Sequence, residues 1–179
     1  MALGLRYLLV TSALVGAVGI GGQYLGWPLL TSTVGPTAYI FAAHPHSEGA
    51  RFRNALIGHG VAIACGLAAL AAFGLVRSPS ISETGSPSAA QVAAAVLGVG
   101  LTVFVLELAG SHHAPSAATA LLITTGLAQP GAPLIGLVLG LAIVIALGPL
   151  SGRIPFAGAF DIGDQPRSHK SAQHTEVLS

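Results

Sequence analysis

The sequence predicts an all-α, polytopic transmembrane protein, built as two repeats of long helix, short proline-headed helix, long helix. Three observations lead there. Of 179 residues, 53% are hydrophobic and only 7% are Asp, Glu, Lys or Arg, against roughly 25% charged in soluble domains. The few charges are clustered, so none falls in Tyr7–Ser47, Asn54–Val76, Thr84–Leu106 or Leu108–Gly152. Charge-free apolar stretches of this length read as membrane-crossing helices. Finally, Pro36 and Pro115 head two similar short segments, each flanked by long apolar runs at matching offsets.

The first span is expected at about Tyr7–Tyr24. Arg6 ahead of an apolar run resembles a signal peptide, but hydrophobic sequence resumes at Trp27 with no convincing cleavage site, so the run reads as retained. Leu29–Ala43 follows as the first short segment. Its start, Ser32-Thr33-Val34-Gly35-Pro36-Thr37, carries hydroxyls that can cap exposed amides and a proline suited to a helix's first turn. The second long span is Asn54–Val76. A Ser/Pro/Gly loop, 77–88, separates the halves, giving membrane repeats at 1–76 and 89–152. The second repeat then reads as a span at Ala89–Leu108, a short segment at Pro115–Leu127 and a last span at Pro133–Leu150. Residues 153–179 form a polar tail containing His169 and His174, expected to be disordered and cytoplasmic. Small residues along the long spans, Gly58, Gly136 and Gly140 among them, favour close helix packing in lipid.

The short segments leave two topologies open. If they do not cross, Arg6, Arg77, Arg153, Arg167 and Lys170 lie inside and Arg51 and Arg53 outside. If they cross, six basic residues lie inside and Arg77 alone outside, which fits the positive-inside rule slightly better and makes the repeats inverted. Both place the two termini in the cytoplasm of a multi-pass cell-membrane protein.

Several function classes fall away. A net charge of +1 leaves no nucleic-acid footprint. A single cysteine, Cys65, excludes a disulfide framework within the chain. Continuously apolar runs do not suit barrel strands. No nucleophile–base pair or phosphate-binding glycine loop is recognisable, so no enzyme and no cofactor are expected.

The chemistry that remains is polar residues in costly places. Intramembrane ionisable groups are functional suspects by default, and His44, His46, His59, His112 and His113 cluster at or behind the short segments. A metal site is the weaker reading, because adjacent histidines point apart and Glu48 is the one nearby carboxylate. His59, near Asn54 and Gly58, reads either as an interhelical hydrogen bond or as part of a proton path, with Asn54 and Gly58 structural. Glu107 ends its span six residues before His113, its expected partner, and is the second proton-coupling candidate. The amides of a helix N-terminus favour an anion. Thr33, Gly35, Pro36 and Thr37 on one tip and His113, Pro115, Ser116 and Thr119 on the other are therefore expected to hold a small anion between two converging helix starts.

At these residues the chain resembles the HPP family of small integral membrane proteins. Val34–Tyr39 is similar to its first small-residue/proline segment, and Arg53–His59 to its Arg-Asn…Gly-His stretch, with Ile57 where a glycine stands. His113–Leu121 is similar to the naming motif and its Ala/Thr continuation, the tripeptide here reading His-Ala-Pro. The resemblance, over roughly 29–149, implies a polytopic helical protein usually described with four spans, some members being linked to nitrite uptake. The resulting expectation is a transporter of a small, nitrite-like inorganic anion embedded in the lipid bilayer. A non-transporting scaffold or assembly protein is the alternative, a His-based metal protein a weaker one. Homo-oligomer formation is compatible with the chain's size.

Overall fold

The computed structural model describes residues 2–153; the tail read at 153–179 lies outside these except for Arg153. Every regular element among the described residues is helical: α1 Ala2–Leu25, α2 Val34–Ala43, α3 Phe52–Ala72, α4 Ile81–Thr84, α5 Ala89–Leu108, α6 Pro115–Thr124 and α7 Ala132–Leu147. Short 3-10 turns occupy Glu48–Ala50 and Gly148–Arg153. Four helical runs, at Leu3–Leu25, Phe52–Ala72, Ala89–Leu108 and Ala132–Arg153, are long and apolar enough to cross a membrane. Large apolar side chains such as Leu8, Leu9, Val96 and Phe104 face outward, onto lipid.

The order long, short, long thus occurs twice, with local differences from expectation. Helix α1 begins earlier than Tyr7, carrying Arg6 within it. Helix α2 starts at Val34, so Leu29–Thr33 is not helical and Pro36 stands third rather than first. Neither short helix has a side-chain cap, because Thr33 Oγ1 is bonded to Thr31 and the residue at the α6 N-cap is Ala114. Helix α3 ends at Ala72 because Gly74, at φ 68°, adopts the left-handed turn that lets Leu75 N–H bond Leu70 carbonyl (2.8 Å). The inter-half loop contains α4, stabilised where Glu83 accepts from Ser80 N–H at 2.7 Å. A second capping box, Ser88 with Gln91, opens α5.

How far the short segments travel is fixed by their neighbours. Ten residues of helix rise only about 15 Å, half of a ~30 Å hydrocarbon core. Yet Trp27 and Leu29 sit against Gly22 near the end of α1, Leu30 against Gly19, and Ala42 and Ala43 accept from Arg6 and Tyr7 near its start. The extended stretch before α2 supplies the missing length. In the second half the added length comes from turns after the helix, at 125–131, rather than from an extended piece before it. His113 bonds Gly49 at the start of α3, whereas Thr125 and Gln129 bond Ile81 and Ser78 in the loop beyond its end. Both segments run the full depth of the bundle. Arg6, Arg51, Arg53 and Arg153 then share one face, with Arg77 on the other.

Packing cuts across the two halves. Helix α7 packs on α1 and α2, while α3 packs on α5 and α6. Each group takes its third helix from the other half. In the first, a Cβ at Gly136 or Gly140 would strike the Pro28 or Leu29 carbonyl, so glycine there lets the extended stretch lie on α7. In the second, a Cβ at Gly66 would come within 3.0 Å of Ile123, and one at Gly98 within 2.8 Å of Thr124.

Candidate functional site

Between these groups lies a buried polar cluster centred on His59, seven residues into α3 and so about 10 Å from its start. Its Nε2 stands 3.1 Å from Nε2 of His113, the rings meeting edge to face at 4.8 Å between centroids. The same Nε2 is 3.2 Å from Thr37 Oγ1 on α2, and Nδ1 is 2.8 Å from Thr119 Oγ1 on α6. The first turns of the two short helices therefore flank one imidazole. They do so from opposite nitrogens of the ring, running in opposite directions, rather than tip to tip.

The remaining bonds fix this arrangement. Thr37 donates to Thr33 carbonyl (2.7 Å), and Thr33 Oγ1 meets Thr31 Oγ1 at 3.1 Å. His113 Nδ1 donates to Gly49 carbonyl at 2.7 Å. Ser111 donates to Asn54 carbonyl, and Asn54 Nδ2 to Glu48 carbonyl, tying the loop before α6 to the start of α3. Gly58 is there because a Cβ would strike Ser116 Oγ and come within 3.0 Å of His113 Cβ. Ser116 is wholly buried, yet its hydroxyl has no hydrogen-bond partner.

Thr33, Thr37, His59, His113, Ser116 and Thr119 are thus brought together, while Gly35 and Pro36 lie at the periphery. The first α6 amides are already engaged, Ser116 N–H with His113 carbonyl (3.1 Å) and Ala117 N–H with Ala114 carbonyl (3.2 Å). The hydroxyls and imidazoles, not free amides, supply the available polarity. Glu107 does not reach His113. It is exposed and faces His112 at 4.0 Å, because the chain turns at Gly110 (φ 57°) and sends the second histidine inward alone. His46 is exposed and His44 packs edge-on to Tyr39. Among the described residues no three His, Cys, Asp or Glu side chains are grouped to hold a metal.

A cavity of about 520 Å³ on the face where α3 starts reaches this cluster at His113 alone. Ile40, Val103 and Leu106 form apolar walls, Glu107 and His112 its polar rim, and His113 lies in its lining. The cavity had no signal in the sequence, since its walls come from α2, α5 and α6. Nor had Gly49, whose contribution is a backbone carbonyl.

The family model described as "HPP, transmembrane region" matches residues 3–159 of the chain. No curated protein and no solved structure gives a match.

Proposed function

The chain belongs to the HPP family of transmembrane proteins, and on that premise we propose that it is a transporter, not an enzyme, carrying a small nitrite-like anion with a proton. The observation that carries this reading is the 3.1 Å contact between His59 and His113, flanked by hydroxyls from both short helices. Two ionisable rings are a costly way to pack membrane helices, which dispersion between small residues would hold equally well. At this distance the two Nε2 atoms share one hydrogen, so the pair has capacity for a further proton. That proton would supply positive charge for an anion where, among the described residues, no lysine or arginine bonds the cluster, the buried Arg6 being engaged with the Ala42 and Ser151 carbonyls. The cavity reaching His113 supports an approach from one face.

The basic residues on that face support a cytoplasmic placement of it. The halves, traversed in opposite directions, read as an inverted repeat of the kind that places transporter sites at interrupted helices. The scaffold reading draws on a different observation: the hydroxyls of Thr33, Thr37 and Thr119 are all partnered and buried.

Flux separates the two. Purified protein in liposomes is expected to move nitrite faster when the outside is acidic. His113→Ala should lower this flux on the order of a hundredfold, the scale of a lost proton-transfer group, with the yield of folded protein retained. Folded wild-type protein with no anion flux overturns the proposal, and equal loss of yield and flux assigns His113 to packing.

A further inference from the structure

The hydrogens of the polar cluster can be placed one by one. Gly49 carbonyl can only accept, so His113 Nδ1 carries a hydrogen. With that ring neutral, its Nε2 is bare and must be met by Nε2–H of His59. Thr37 has given its own hydrogen to Thr33 carbonyl, so it too accepts from His59. His59 Nδ1 is then bare, and Thr119 at 2.8 Å must donate to it. One hydrogen arrangement satisfies every contact.

One proton is now added. If His59 takes it, Nδ1 gains a hydrogen directly. If His113 takes it on Nε2, that nitrogen becomes a donor, His59 Nε2 must be bare, and the neutral His59 ring carries its hydrogen on Nδ1. Both routes end with His59 Nδ1–H pointing at Thr119. The threonine oxygen becomes an acceptor and its hydrogen is released. Ser116, whose buried hydroxyl has no partner, stands three residues earlier on the same side of α6.

Resting on the transport reading above, we propose that Thr119 is the positioning residue that makes anion binding depend on the proton. Protonation of the histidine pair frees its hydroxyl to join that of Ser116 in binding a small oxyanion. The imidazoles are bonded to no other titratable group. Helices α6 and α7 carry none, and Tyr39 of α2 points outward. Glu107 and His112 stand at the cavity rim, and the Glu48–Arg51 pair is exposed on the α2–α3 connection. Arg6 and Tyr7 of α1 bond the far end of α2, and Arg53 at the start of α3 is exposed.

The test uses full-length protein in detergent with Thr119→Val, which removes the hydroxyl at nearly constant shape, and Thr119→Ser, which restores it. Nitrite added in weak buffer should draw about one proton per ion bound in wild type and the serine variant, by reciprocal linkage. The valine variant should bind at least about tenfold more weakly, the scale of one hydrogen bond to a charged group, and draw in little proton. Equal proton uptake per nitrite in the valine variant overturns the assignment. Histidine ¹⁵N spectra examine the switch without any anion: His59 Nδ1 should be bare at neutral pH and protonated in acid. A protonated Nδ1 at neutral pH also overturns it, whereas the expected switch without nitrite binding overturns the transport reading instead.

Discussion

The helix group α1/α2/α7 and the group α3/α5/α6 each combine two long helices with one short one, yet they spend their polar residues differently. In the first, Arg6 is buried in α1 and donates to carbonyls, Ala42 at the end of α2 (2.8 Å) and Ser151 (3.4 Å). It answers groups that a helix end must satisfy somewhere, and it favours the negative end of α2. In the second group, His59 and His113 answer each other and two hydroxyls; one buried atom stays unpartnered in each group, Arg6 Nε in the first and Ser116 Oγ in the second. A polar group that closes a helix end is scaffold. One whose partners can exchange donor and acceptor roles can do work.

Substitutions on the scaffold side should therefore change how much protein folds, not the flux of each folded molecule. Arg6→Met has the largest expected effect. It leaves two carbonyls without their donor, at about 1–3 kcal/mol for each that is fully buried. Thermal unfolding of the purified protein should shift down strongly, with nitrite flux per folded protein unchanged. A normal unfolding temperature together with lost flux would move Arg6 to the functional side of the comparison.

Gly140→Ala comes next. Its Cβ would meet the Leu29 carbonyl, and backbone yields less readily than a side-chain tip. An overpacking cost of about 1–3 kcal/mol is expected. Gly16, with open space where a Cβ would go, serves as the control. If Gly16→Ala destabilises the protein as much as Gly140→Ala, the close passage of the extended stretch over α7 is wrong.

The contrast also explains what could be read in advance. Charge-free runs and the spacing of Pro36 and Pro115 were enough for the helix order, because lipid forces every backbone group into local pairing. His59, His113, Thr37 and Thr119 could be nominated singly, as polar residues in costly places. Their meeting could not, since it depends on α3 packing with α5 and α6, and helix exchange between halves leaves no mark on periodicity. The extended stretch before α2 was equally hidden: Leu29 and Leu30 are as apolar as helix residues, and only Gly136 and Gly140, a hundred positions away, make room for them. Counting residues along a helix pairs Glu107 with His113, but the turn at Gly110 breaks that count.

Glu107 also provides the finest test of where the working region ends. Its carboxylate stands exposed at the cavity rim with His112 at 4.0 Å. A negative charge there opposes the approach of an anion. At physiological ionic strength, charges are screened over about 8 Å, so Glu107→Gln should raise the rate of nitrite entry by only about twofold or less. At tenfold lower salt the screening length grows and the gain should widen. The proton drawn in per anion should not change in either condition, because the histidine pair, and not the rim, holds it. If Glu107→Gln abolishes proton coupling instead, the carboxylate is part of the proton path, and the boundary between rim and working cluster must be moved outward to include it.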